Sequence, residues 1–239
     1  MAFDLVIRGG IVVDGTGLAR RRADVAISGG RIAAVGFVSA REPAERTLDA
    51  DGLVVAPGIV DLHTHYDPQL TFDPWATSSC YHGVTTVVAG NCGFSIAPTR
   101  VADRPYIQAM FAAVEGMAPV ALDGVAWDFE SFPEYLAARE GRLGVNLACY
   151  VGHSSVRRWV MGPDASEREA TPDEISRMAA LVRPEGSALA PGRACDDCSR
   201  RGAGRLRPGR GRRPRMTGVL RARCEAPHHR SLHRRRPER

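Results

Sequence analysis

At 239 residues and 44% hydrophobic, the chain can hold one large domain, or a small one and part of another, and no window of it approaches a membrane span. Its opening, Met1-Ala2-Phe3-Asp4-Leu5-Val6, has neither the positive nor the apolar region of a signal peptide. A cytoplasmic location is therefore expected, and there six cysteines read as buried thiols or metal ligands and not as a disulfide scaffold.

The net charge of +5 averages two unlike stretches. Residues 1–183 hold 16 Arg against 22 acids, a net of −6, whereas residues 184–239 hold 16 Arg against 5 acids, a net of +11. Lysine is absent throughout, as the codon bias of a GC-rich genome would produce. The basic pI belongs to the tail.

Residues 3–58 read as short strands joined by tight turns. Phe3-Asp4-Leu5-Val6-Ile7-Arg8 meets Gly9-Gly10 and then Ile11-Val12-Val13, and Asp24-Val25-Ala26-Ile27-Ser28 meets Gly29-Gly30 and then Arg31-Ile32-Ala33-Ala34-Val35. Gly-Gly between apolar runs supplies the positive φ of a two-residue hairpin turn, so two hairpins are expected. The result would be a small β-sandwich part covering residues 1–57.

From Leu53 the pattern changes. Leu53-Val54-Val55-Ala56 passes through Pro57-Gly58 into Ile59-Val60-Asp61-Leu62-His63-Thr64-His65, an apolar run ending in polar groups. Residues 74–82 read as a helix stopped by Gly83. Val84-Thr85-Thr86-Val87-Val88-Ala89 is a β-branched run of the buried type. Helices are expected at about 103–115 and 131–140, and a third strand at 143–151. Thr171-Pro172-Asp173-Glu174 is a capping box with proline at the first helical position, and Ile175, Met178, Ala179 and Val182 follow at helical spacing. Strands alternating with helices argue for parallel βα units. A complete eight-stranded barrel needs about 250 residues, so residues 58–183 read as the first three or so βα units of an incomplete (β/α)8 TIM-type barrel in an α/β chain.

Three positions could carry chemistry at the C-terminal ends of these strands. Asp61, His63 and His65 are two apart, so on a strand they share a face, and two neutral imidazoles there can bind one metal ion. A surface strand end bearing two histidines of no consequence is the other reading. Cys92, in Gly90-Asn91-Cys92-Gly93 after the second strand, is either a small buried hydrophobe or a thiolate ligand at the same end of the sheet. His153, after the third strand, either lines the pocket or is a hydrogen-bonded structural histidine.

The segment Ala56-Pro57-Gly58-Ile59-Val60-Asp61-Leu62-His63-Thr64-His65-Tyr66-Asp67 resembles the opening barrel-strand motif of the amidohydrolase superfamily. Further blocks in order resemble the D-aminoacylases, the N-acyl-D-amino-acid deacylases. They are Asp73-Pro74-Trp75-Ala76-Thr77, His82-Gly83-Val84-Thr85-Thr86-Val87-Val88, Gly90-Asn91-Cys92-Gly93-Phe94-Ser95-Ile96-Ala97-Pro98, Trp127-Asp128-Phe129-Glu130-Ser131-Phe132-Pro133-Glu134-Tyr135-Leu136 and Tyr150-Val151-Gly152-His153-Ser154. The resemblance covers about residues 4–183. It implies zinc as cofactor, with His63 and His65 serving one metal position. It makes Cys92 the ligand that hydantoinases and dihydroorotases replace by a carboxylated lysine. It implies metal-assisted hydrolysis of small N-acyl-D-amino acids, with an aspartate for proton transfer. The remaining metal histidines, that aspartate and the carboxylate-binding residues lie beyond the third barrel strand in the family and have no counterpart here. The catalytic residues are therefore unknown in this chain, which is expected to be an inactive fragment. A hydantoinase- or dihydroorotase-like cyclic amidohydrolase is the alternative enzyme reading.

Residues 184–239 contain no Phe, Tyr, Trp or Ile and a single Val, with six Pro and seven Gly among the arginines. Such a segment cannot offset the entropy of ordering itself, so disorder is expected. Cys195-Asp196-Asp197-Cys198 with Cys224 and His228 can be forced into a zinc-finger pattern, but the 25-residue gap and the missing core aromatics count against it. An arginine-rich tail could bind nucleic acid nonspecifically through phosphates. Out-of-frame reading of GC-rich DNA yields this composition and accounts best for a resemblance that stops inside a helix.

Overall fold

In the computed structural model, which describes residues 2–182 and the pair 219–220, the chain divides at Gly58 into two units. The first, Met1–Gly58, is one mixed sheet of β1 (Phe3–Val12), β2 (Arg21–Ser28), β3 (Arg31–Gly36), β4 (Ala44–Asp49) and β5 (Val54–Val55). The order is β3-β2-β1-β4, with β5 also on β1; β2 runs antiparallel to β1 and β3, and β4 and β5 run parallel to β1. Gly29 and Gly30, at φ 57° and 69°, form the expected hairpin turn.

Gly9-Gly10 does not form a turn. β1 runs through it with a register shift between Ile7 and Gly10, because Gly9 at φ 71° turns its N–H onto Asp24 Oδ1 (2.8 Å) and makes a bulge. A Cβ at Gly10 would overlap the Val55 side chain, so the strand stays bare where β5 runs beside it. Val6, Ala26 and Val38 form a small core, while Ile32, Val35, Leu48 and Val54 remain exposed. Where a small β-sandwich part was expected, the described residues thus form a single sheet layer.

The second unit, Ile59–Arg239, holds three parallel strands, β6 (Ile59–Thr64), β7 (Val84–Ala89) and β8 (Asn146–Cys149), in spatial order. A two-residue strand, β9 (Val219–Leu220), pairs antiparallel with β8. The rest of 183–239, on which the expected disordered tail, the zinc-finger pattern and the nucleic-acid reading fall, lies outside the described residues. The third strand is shorter than 143–151, although Tyr150 N still donates to Ala89 O (2.9 Å). No helix among the described residues is long and apolar enough to cross a membrane.

The helices are α1 (Tyr66–Gln69), α2 (Arg104–Val114), α3 (Pro119–Asp123), α4 (Phe132–Arg139), α5 (His153–Met161) and α6 (Pro172–Val182). Ser131 caps α4 with Glu134 in a reciprocal box, and Thr171 and Glu174 do the same for α6. Of the apolar face read for α6, only Met178 is buried; α6 packs on α5, and Ile175 and Ala179 stay exposed.

Residues 74–82 are not a helix. Asp73 accepts from Trp75 N (3.2 Å), Thr77 N (2.6 Å) and Thr77 Oγ1 (2.9 Å), drawing the backbone into a turn, and Ala76 and Ser78 adopt φ of 48° and 75°. Only a 3-10 turn, Cys80–His82, remains, closed by Gly83 at φ 84°.

The main core gathers Val87 and Leu147 from the strands with Ile107, Phe111, Phe132 and Tyr135 from α2 and α4. The Phe129 and Tyr135 rings meet edge to face at 5.1 Å. Gly144 donates to Pro74 O (2.9 Å), and a Cβ there would overlap the Trp75 indole.

Candidate metal centre

β6 ends at Thr64, whose buried hydroxyl donates to Val88 O (3.0 Å) and ties this strand to β7. The β6–β7 register shifts between Asp61 and Thr64, so His63 sits in an irregular stretch. Asp61 Oδ1 accepts from His63 N (3.2 Å); its carboxylate serves the local backbone and is not among the clustered groups. His65 is the first residue past the strand, at the head of α1.

Cys92 lies on the loop leaving β7. Gly90 (φ 76°) and Gly93 (φ 92°) fold that loop back, with Gly93 N on Gly90 O at 3.2 Å. At Gly90 a side chain is excluded twice over, because a Cβ would also overlap Tyr150 O. Asn91 Nδ2 reaches Leu62 O (3.0 Å), and Asp67 Oδ2 accepts from Ile96 N (2.7 Å), so the loop is stitched to both ends of the histidine segment.

Each of His63, His65 and Cys92 offers one ligand atom within 4.8 Å of the others; His63 is exposed, His65 half-buried and Cys92 buried. His65 Nδ1 lies 3.6 Å from Cys92 Sγ. Two donors sharing a tetrahedral zinc, at roughly 2.0–2.3 Å from it, lie about 3.5 Å apart, so this pair stands at the separation a shared metal requires. Two imidazoles and a thiol form a donor set of the zinc type. Burial holds the His65 imidazole below its ordinary pKa; the Glu115 carboxylate opposes this and His63 adds to it. A neutral ring is the form that ligates.

Two acids nearby escape a reading of the sequence. Glu115, just past α2, places Oε2 3.0 Å from His65 Nε2 and Oε1 3.9 Å from Cys92 Sγ. Asp67, two residues after His65, is fully enclosed, and burial pushes its carboxyl up to about 7. Asp67 continues the two-residue series of Asp61, His63 and His65, but nothing in the spacing marks Glu115, which the fold alone brings across from a helix end. His153 opens α5 and lies outside the cluster. Burial, and then Arg157, depress its pKa. Its turn is nonetheless bound to the cysteine loop through Gly152 N on Ser95 Oγ (2.9 Å) and Ser154 N on Gly93 O (3.0 Å).

The amidohydrolase family model matches residues 46–197. The chain belongs to the amidohydrolase family. This amidohydrolase is 44% identical over 183 residues to a D-aminoacylase of Alcaligenes xylosoxydans xylosoxydans, covering 75% of the chain and 35% of that protein. An N-acyl-D-glutamate deacylase of the same organism is 44% identical over 171 residues, covering 70% and 32%. Among solved structures, the N-acyl-D-glutamate deacylase of Bordetella bronchiseptica, complexed with zinc and a phosphonate mimic of the tetrahedral intermediate, matches with a TM-score of 0.63 at 35% identity, over 76% of this chain and 36% of that one. A D-aminoacylase described by its binuclear metal centre matches with a TM-score of 0.62 at 43% identity, over 75% and 35%. The chain therefore spans about a third of the length of the curated relatives it matches, and its resemblance to the D-aminoacylases extends from motif to chain path.

Proposed function

We propose that this chain supplies the opening ligands of a zinc site, His63, His65 and Cys92, in an enzyme type that hydrolyses the linear amide of small N-acyl-D-amino acids. The observation that carries the reading is the meeting of these three groups within 4.8 Å, at the C-terminal ends of two adjacent parallel strands. A nitrogen–sulfur donor set of this spacing suits zinc, which supplies Lewis acidity for amide hydrolysis when bound. Cys92 would hold the ion from the buried side and the two histidines would hold it from the strand end.

By itself the 239-residue chain binds zinc and does not turn over substrate. β6 pairs only with β7 among the described strands, and Val60 and Leu62 are 51% and 65% exposed, so the centre is open to water along that edge. Equilibrium dialysis should give one zinc per purified chain, and hydrolysis of N-acetyl-D-methionine should not exceed that of zinc in buffer. Zinc retained no better than by a Cys92→Ala chain would overturn the site, and robust D-selective turnover would overturn the inactivity.

A further inference from the structure

We infer that Asn91 is the positioning residue of His63: its side-chain amide holds the Leu62 carbonyl at a bulge in β6, and so sets the next residue's imidazole beside Cys92. The inference rests on the zinc-site reading above and adds to it what fixes the most exposed of the three ligands.

β6 is not regular where its histidines begin. Asp61 pairs with Val87 and Thr64 with Ala89, so β6 takes three steps where β7 takes two. The extra residue falls at Leu62-His63, and a bulge of this kind interrupts the ladder and re-aims the side chains it carries. Its effect is visible in the site. On an unbroken strand Asp61 and His63 would share a face. Here the Asp61 carboxylate turns back onto His63 N (3.2 Å), and only the imidazole joins His65 and Cys92.

A bulge needs substitutes for the ladder bonds it interrupts. Three side chains supply them. Asp61 accepts from the backbone inside the bulge, Thr64 Oγ1 donates to Val88 O (3.0 Å) just past it, and Asn91 Nδ2 donates to Leu62 O (3.0 Å). Of the three, Asn91 alone reaches the bulged pair from across the sheet. The donor is itself fixed, because Asn91 lies in the turn closed by Gly93 N on Gly90 O (3.2 Å), and Gly93 O accepts from Ser154 N of α5 (3.0 Å). Asn91 and Cys92 are consecutive, so the segment that delivers the thiol also sets the place of the imidazole. His63 is exposed, so packing does little for its ring and the position of its backbone decides.

The test measures zinc affinity of the full chain, by competition against a chromophoric chelator, in a double-mutant cycle of Asn91→Ala with His63→Ala and a second cycle with Cys92→Ala. Asn91→Ala should weaken zinc binding about tenfold, as the loss of a group that orients a metal ligand does. In the His63→Ala chain the same change should cost less than about twofold, because Asn91 acts through that ring, whereas in the Cys92→Ala chain it should keep its full effect. The thiolate-to-cobalt(II) absorption band should survive Asn91→Ala. Equal penalties in the two backgrounds, as a merely structural loss would give, or a penalty that vanishes with Cys92→Ala instead, would overturn the inference. In the metal-free chain, the His63 and Thr64 amides should exchange at least about threefold faster in Asn91→Ala, and equally so in Asn91→Asp, which keeps the shape and loses the donor. Exchange unchanged in Asn91→Asp would also overturn it. If the parent binds no zinc, the zinc-site reading fails, and the metal-free exchange still decides whether Asn91 holds the bulge.

Discussion

Cys92 rides on a segment in which Val87, Val88, Ala89 and Gly90 are buried before it and residues 95–99 are buried after it. His63 sits on β6, where Ile59, Val60 and Leu62 are all exposed and Thr64 alone is enclosed. The two strands are similarly apolar in sequence and are bonded to each other. Among the described strands β7 has a neighbour on both sides and β6 has one, so burial follows the count of neighbours and not composition. The two halves of the centre therefore differ in how firmly they are held: the thiol belongs to a packed, hydrogen-bonded loop and the histidines to an edge.

Asp67 joins the halves, and its charge gives the largest effect. With a carboxyl raised by burial from 3.8 to about 7, the folded metal-free chain holds a proton that the unfolded chain has lost. The stability this group contributes is fully present below pH 3.8 and is lost as pH rises to about 7, a difference of up to about 4 kcal/mol. Asp67→Asn should therefore be more stable than the parent at pH 8 and level with it near pH 4, as followed by urea unfolding in EDTA. A difference between the two that does not change with pH would break the link.

Next in size is the loss of the thiol. Cys92→Ala should weaken zinc binding by about 100-fold, or about 2.7 kcal/mol, and His63→Ala by less, because the exposed edge holds its ring less firmly. Calorimetric titration showing the reverse order would invert the comparison. Smallest is the difference in local opening. Backbone amides at 86–89 should exchange at least about tenfold more slowly than those at 60–62, about 1.4 kcal/mol of protection; equal rates would mean that the edge is as rigid as the centre.

What could be read beforehand follows the same division. The residues that met, His63, His65 and Cys92, stand at the ends of apolar runs, and run ends are visible in a sequence. Helices α2, α4 and α6 were legible because prolines and capping acids mark their starts. α1, α3 and α5 went unseen. α5 opens on Gly152-His153-Ser154 without a side-chain cap, and its start is fixed by the distant Gly93 carbonyl. The hairpin expected at Gly9 failed because Asp24, on another strand, captured its N–H. The helix expected over 74–82 failed because one aspartate out-competed the helical backbone. Glu115 was invisible for a further reason: its partner lies fifty residues away, across a contact that no periodicity records.

The seat of Trp75 on Gly144 has a bearing on how such a chain can change over generations. Because the indole occupies the space where a side chain would begin, the ring at 75 dictates the bare backbone at 144. A lineage that gained any side chain at 144 would have to surrender the indole in the same step, and with it the lodging of the Asp73 turn beside the approach to β8. Change at 144 is closed off for as long as the indole at 75, some seventy residues away, stays in place, whereas change at 75 is not barred by the bare backbone at 144.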